Sequence, residues 1–317
     1  MTVAGLVIDA ARLWPGEEPW DGELAFVDLD GTAETPDAVA LPPCPVIGVG
    51  DPAHPLAARL DAVVEAPVSA ELLARQVRAN PRAAAVIVQL LRLLPALAVE
   101  DGLTAESLAY AVLQGSAEHA RWRATATPAE QGAPGRLAMR REGARLALTL
   151  DRPESGNAID RALRDALHEA FSLAALDSGI AAISLRASGK AFSLGAELGE
   201  FGTTIDPAGA HAIRARTLPA RPLARCADRL EVHVQGACVG SGLELAAWAR
   251  RLTASPAAWF QLPELAMGIL PGAGGCVSLT RRIGRQRAAL MILSGKRLSA
   301  RQALGWGLVD ALVDDPA

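Results

Sequence analysis

Beyond residue 136 the apolar residues of this chain switch between the spacing of strands and the spacing of helices, and that alternation leaves few folds open. Arg145-Leu-Ala-Leu-Thr-Leu150, Ala181-Ala-Ile-Ser-Leu185 and Leu230-Glu-Val-His-Val234 read as strands. Helices are predicted over Ala158 to Leu176, Leu243 to Ala249, Gly275 to Ile283 and Arg287 to Leu293. Strands that alternate with helices pair largely in parallel, because each parallel pair needs a crossover connection. The expected class is α/β.

The segment before it reads differently. Thr125 to Gly135, rich in Thr, Pro, Gly and Ala, is a linker by composition. It divides the chain into a short-strand segment at 1–65, a helical segment at 66–124, the linker at 125–136 and the core at 137–317. Within the first, Gly22 to Val27, Val46 to Val49 and Ala62 to Glu65 read as strands, with a brief helix over His54 to Leu60. Ser69 is placed to cap a helix, with Glu71 in its first turn. Asn80-Pro81 ends that helix and opens the next, whose apolar stripe is Val86, Ile87, Leu90, Leu91 and Leu94. Thr104 is the expected cap of a third helix reaching His119.

Composition narrows the function. A net charge of -4 over 317 residues gives no basic footprint for nucleic acid. The apolar run Ala83 to Ala98 is broken by Gln89, Arg92 and Pro95, too soon for a membrane span. The first residues lack the basic start and apolar core of a signal peptide, so a cytoplasmic protein is expected. Cys44, Cys226, Cys238 and Cys276 form no metal-binding spacing and read as buried thiols in a reducing compartment.

Three glycine-rich segments carry the chemistry: Lys190-Ala-Phe-Ser-Leu-Gly-Ala-Glu-Leu198, Gly236-Ala-Cys-Val-Gly-Ser-Gly-Leu-Glu-Leu245, and Phe260-Gln-Leu-Pro-Glu264 followed by Gly268-Ile-Leu-Pro-Gly-Ala-Gly-Gly275. Small residues let a backbone approach a ligand. The free amides at a helix start favour an oxyanion. Glu244 and Glu264, twenty positions apart, supply two carboxyls. Adding water across a conjugated double bond needs a base for the water and an acid for the α carbon. Two carboxyls in one apolar pocket do not both ionise easily and titrate as a pair. His211, Arg214 and Arg216 read as solvated or structural, His233 as a packed histidine, and Trp248 and Trp259 as core or pocket wall.

Between about Arg145 and Val313 these segments resemble the crotonase superfamily, the enoyl-CoA hydratases and isomerases. The likeness includes Leu150-Asp-Arg-Pro-Glu-Ser-Gly-Asn-Ala158 after the first strand and Ala303-Leu-Gly-Trp-Gly-Leu-Val-Asp310 near the close. The resemblance implies a crotonase-like ββα superhelix carrying an N-terminal α/β and helical extension. It implies an oxyanion hole from the backbone amides of Ala196 and Ser241, with Glu244 and Glu264 catalytic. Lys190, Leu194, Gly195 and Gly240 would line the path of substrate and CoA, Leu194 on the wall that holds adenine and pantetheine. Serine at 241 departs from the family's glycine or alanine and adds a hydroxyl to the pocket.

The implied function is an enoyl-CoA hydratase. A delta-isomerase, a thioesterase, a decarboxylase, a cofactor-independent oxygenase and a non-catalytic acyl-CoA-binding subunit share the scaffold. The acyl-CoA would be the substrate, with no cofactor or metal. A homo-oligomer is expected, a trimer or a hexamer of trimers. The family continues past its Gly307-Leu-Val309 equivalent into closing helices, where this sequence reads as truncated. Asn80 to Ala85, Glu100 to Tyr110 and Gly115 to Ala120 resemble those helices, so the closure is expected to have moved to the front of the chain.

Overall fold

The computed structural model describes residues 3–18, 20–33, 37–125 and 132–314, apart from the Ala4 side chain. Half of the expected linker, residues 126–131, lies outside the described residues. The core holds a six-stranded sheet. Its spatial order is Ala311–Leu312, Arg251–Ala254, Leu230–Val234, Ala182–Ala187, Arg145–Leu150 and Leu137–Glu142. All neighbours run parallel except the last two, which form a hairpin.

The chain repeatedly leaves this sheet, makes a short pairing in a second layer, and enters a helix. After Leu230–Val234 comes Ala237–Val239 in a three-stranded sheet, then the helix Ser241–Ala246. After Arg251–Ala254 comes Trp259–Gln261, parallel to Ala237–Val239, then the helix Gly275–Ser294. The earlier turns use single bridges, Ile159 with Ala196 and Ser193 with Cys238. This is the expected ββα superhelix. The helix Arg161–Leu176 shows how one crossover is written: Asp160 accepts from the Leu163 amide at 2.8 Å, and Leu163, Leu167, Ala170, Phe171 and Ala174 form its buried stripe.

Residues 7–63 form a four-stranded parallel sheet of Val7–Ile8, Ala25–Asp28, Val46–Val49 and Ala62–Val63. The helices Ala70–Ala79, Pro81–Leu93, Val99–Gln114 and Ala117–Thr125 follow. One apolar cluster runs from Phe26 and Ile47 through Ile87 and Leu103 to Leu290 and Val309. Buried Asp61 fastens the sheet to this body, accepting from Arg92 at 2.8 and 2.7 Å, with Arg285 at 3.5 Å.

Two expectations are corrected and a third is met. The third helix starts at Val99, not after Thr104, whose hydroxyl donates to the Glu100 carbonyl inside it. It stops at Gln114, and His119 belongs to the next helix. The two helices expected at 275–283 and 287–293 are both present within Gly275–Ser294, separated at Gly284, whose φ of +81° is not helical.

Candidate active site

The glycine turns meet at the N-terminus of the helix Ser241–Ala246. The Val239 amide donates to the Ser193 carbonyl at 2.9 Å, drawing the 193–196 turn against 239–241. Gly240 has φ +48°, and a Cβ there would stand 3.6 Å from the Gly195 Cα and 2.7 Å from Glu264 Oε1. Only glycine allows that approach. The next residue of each turn presents its amide without an internal partner: no described residue accepts from Ala196 or Ser241 N–H. Both residues line one cavity of about 270 Å³, with Leu194, Gly195, Gly240, Glu244 and Glu264.

The two glutamates sit in unlike settings. Glu244 is 2 % exposed, and its Oε2 accepts from the amides of Ala273 at 2.6 Å and Gly275 at 2.9 Å. Those amides belong to the turn that opens the helix Gly275–Ser294, whose start carries partial positive charge. Burial raises the Glu244 pKa to about 7 against these bonds. Glu264 is 8 % exposed and its Oε2 has no partner among the described residues. Burial first, and then the neighbouring Glu244 charge, push its pKa well above the ordinary carboxylate range. The cavity therefore holds one carboxyl that ionises near neutrality and one that keeps its proton.

The structure brings together Glu244, Glu264, Ala196, Ser241, Leu194, Gly195 and Gly240. Leu194 is 51 % exposed at the cavity's rim. Lys190 is not brought in; it is exposed on its turn and lines no part of the cavity. Trp248 and Trp259 do not line it either. The Ser241 hydroxyl is buried without a partner among the described residues. Among those residues, no group of three His, Cys, Asp or Glu side chains is placed to hold a metal ion, and no helix is long and apolar enough to cross a membrane.

The sequence placed the helix Val99–Gln114 among the expected closing helices but did not single out the residues it brings to the site. Its fully buried Glu106 accepts from the Gly274 amide at 2.7 Å and the Val277 amide at 3.3 Å. One helix start thus feeds two carboxyls. Burial and the Glu244 charge raise the Glu106 pKa well above the ordinary range. Tyr110, one turn on, lines the cavity, its ring packed so close to Gly272 that a Cβ there would stand 2.2 Å from Cδ2. The next helix holds the Glu264 loop, His119 Nδ1 donating to the Met267 carbonyl at 2.9 Å. The i, i+4 spacing of Glu106 and Tyr110 was visible in the sequence; that this face meets the 272–275 turn was not.

Comparison with known proteins adds the following. The enoyl-CoA hydratase/isomerase family model matches residues 140–316, just over half of the chain. Mevalonyl-coenzyme A hydratase SIDH of Beauveria bassiana is 34% identical over 178 residues, 54% of this chain and 64% of that protein. The 2,3-dehydroadipyl-CoA hydratase of Escherichia coli is 37% identical over 164 residues, 52% of this chain and 64% of that protein. This chain thus spans just under two thirds of the length of these relatives. The enoyl-CoA hydratase structure from Thermoplasma volcanium superposes with a TM-score of 0.50 at 36% identity, covering 56% of this chain and 72% of that one. An enoyl-CoA hydratase/isomerase from Mycobacterium paratuberculosis gives 0.51 at 28% identity, covering 57% and 73%.

Proposed function

This chain belongs to the enoyl-CoA hydratase/isomerase family, and from that premise we propose that it adds water to a trans-2-enoyl-CoA. The observation that carries the reading is the pairing of two unbonded amides, Ala196 and Ser241, with two unlike buried carboxyls in one cavity. The thioester oxygen sits between the two amides, which stabilise the enolate that forms when water attacks the β carbon. Glu244, ionised and held by two amides at Oε2, takes the proton of the attacking water through Oε1. Glu264 delivers its proton to the α carbon. Hydration leaves the net oxidation state of the substrate unchanged, so the residues and the thioester suffice; the CoA belongs to the substrate. The same reading extends to a homo-oligomer, a trimer or a hexamer of trimers.

The test follows the loss of conjugated thioester absorbance with crotonyl-CoA and a longer trans-2-enoyl-CoA. Wild type consumes both, while Glu244→Gln and Glu264→Gln each lower kcat about a hundredfold or more. Loss of the absorbance without added water, with a shifted double bond in the recovered thioester, would replace the hydratase by an isomerase. Binding with neither change, unaffected by Glu264→Gln, would make it a binding subunit.

A further inference from the structure

With the thioester placed as proposed above, the cavity has a second chamber beyond it. This chamber, about 490 Å³, adjoins the thioester seat through Ala196, shares Tyr110, Arg161, Arg164, Glu200 and Arg214 with the first as well, and excludes Glu244, Glu264 and Leu194. Most charges on its wall are answered. Arg161 faces Glu200 at 3.9 Å, Arg164 is bonded to Asp165 at 2.7 Å, and Glu197 is taken by Arg152 at 2.8 Å.

Arg214 is the exception. It is half-buried, and no described carboxylate lies within ion-pair distance of it. Its Nε donates to Ser107 Oγ at 3.1 Å, Nη1 to Gln114 Oε1 at 3.2 Å and Nη2 to the Ser107 carbonyl at 3.2 Å. The guanidinium lies over the Tyr110 ring at 4.4 Å from its centre. Ser107 Oγ, which accepts from Arg214, also hydrogen-bonds His211 Nδ1 at 2.9 Å. Neutral acceptors on one side fix the plane of the guanidinium. A guanidinium has five N–H donors, which leaves two for the chamber. A partly desolvated cation held this firmly with no carboxylate in contact is costly: burial pushes its pKa down, against Tyr110 and the more distant Glu106, which favour the charged form. An arriving anion removes that cost.

We propose that Arg214, seated on Tyr110, binds a carboxylate at the far end of the acyl chain, so that the substrate class is an enoyl thioester bearing a terminal carboxylate. CoA phosphates share the anionic chemistry. The route of the CoA arm argues against them: Leu194, at the exposed rim, lines the first chamber and not the second.

Calorimetry with unreactive six-carbon thioesters, adipyl-CoA and hexanoyl-CoA, tests this on the whole protein. Adipyl-CoA should bind about tenfold to a hundredfold tighter, as expected for a charge-assisted bond. Arg214→Gln should bring that ratio close to unity, and Arg214→Lys should restore part of it. Equal or reversed affinities in wild type overturn the carboxylate seat while leaving the hydratase reading intact; no binding of either thioester overturns both. The pantetheine thioesters of the same acids, which lack the phosphates, separate the sources. If Arg214→Gln weakens both CoA ligands alike and leaves the pantetheine thioesters untouched, the cation serves CoA and the proposal fails. Should Arg214→Gln not fold, the wild-type ratio decides.

Discussion

Glu244 and Glu264 share a cavity, yet one oxygen of the first accepts two backbone amides and one of the second accepts nothing. That asymmetry sets the expected pH profile. As pH rises, kcat/KM should climb through about 7 as Glu244 ionises, then fall at higher pH as Glu264 loses its proton. A rate flat from pH 5 to 9 would disprove the division of roles. The same shift bears on stability. Glu244 goes from 4.5 to about 7 on folding, so within that window the native state holds more protons than the unfolded one. Stability contributed below the window is therefore lost as pH rises through it, by about 3 kcal/mol for this group. Glu264 acts in the same direction. Glu264→Gln, which can never ionise, should unfold at a higher temperature than wild type at pH 8 and at nearly the same temperature at pH 5. Thermal melts of both proteins at the two pH values check this, and a variant less stable at pH 8 refutes it.

At the scale of the element, the start of the helix Gly275–Ser294 is the organising feature, since its amides are divided between Glu244 from the core and Glu106 from the front of the chain. Replacing Glu106 by Ala orphans two buried amides and opens a cavity. It should cost about 2–4 kcal/mol in urea unfolding and lower kcat as the turn that holds Glu244 loosens. Full stability in that variant would show that the turn holds itself. Such elements also show what the sequence could convey. The glycine turns and the two glutamates were legible because their spacing is local: Gly240, Ser241 and Glu244 are set by one strand-to-helix turn. Thr104 misled because a cap and a mid-helix threonine look alike until the Glu100 carbonyl is seen to take its hydroxyl. Glu106 and Tyr110 stood out only as part of a segment resembling the family's closing helices, and Arg214 read as solvated or structural; their meaning lies in contacts more than a hundred residues away, such as Glu106 to Gly274 and Arg214 to Ser107. Lys190 was placed near the CoA by resemblance, but its exposed turn lies off the cavity wall.

Taken whole, the molecule lines and braces its candidate site partly with helices that come before the core in the chain, through Tyr110 and Glu106. The Trp306 indole donates to the Ala66 carbonyl at 3.2 Å, and Arg287 binds both the Trp306 carbonyl at 3.1 Å and Glu65 at 2.8 and 2.9 Å. The start of the helical segment therefore lies beside the last helix of the core, Ala300–Gly305, where a chain of the opposite order would continue. Packing, hydrogen bonds and buried area depend on where helices sit, whereas connectivity enters mainly through loop entropy, which grows slowly with length. A reordered chain running Leu137 to Asp314, then a glycine–serine linker of about 25 residues, then Val3 to Thr125, should keep the fold; a flexible linker of that length can span a small domain. It should hydrate crotonyl-CoA within about tenfold of wild type, the loss reflecting looser closure at the linker. A chain of Leu137 to Asp314 alone should fail to bind acyl-CoA, because Ile87, Leu91 and Leu103 of its shared apolar cluster are gone with Glu106. Circular dichroism and thioester absorbance on the two chains decide the matter. A reordered chain that folds but has no activity would mean that closure depends on the order of the segments as well as their places, and an active core alone would mean that the front helices do not close the site.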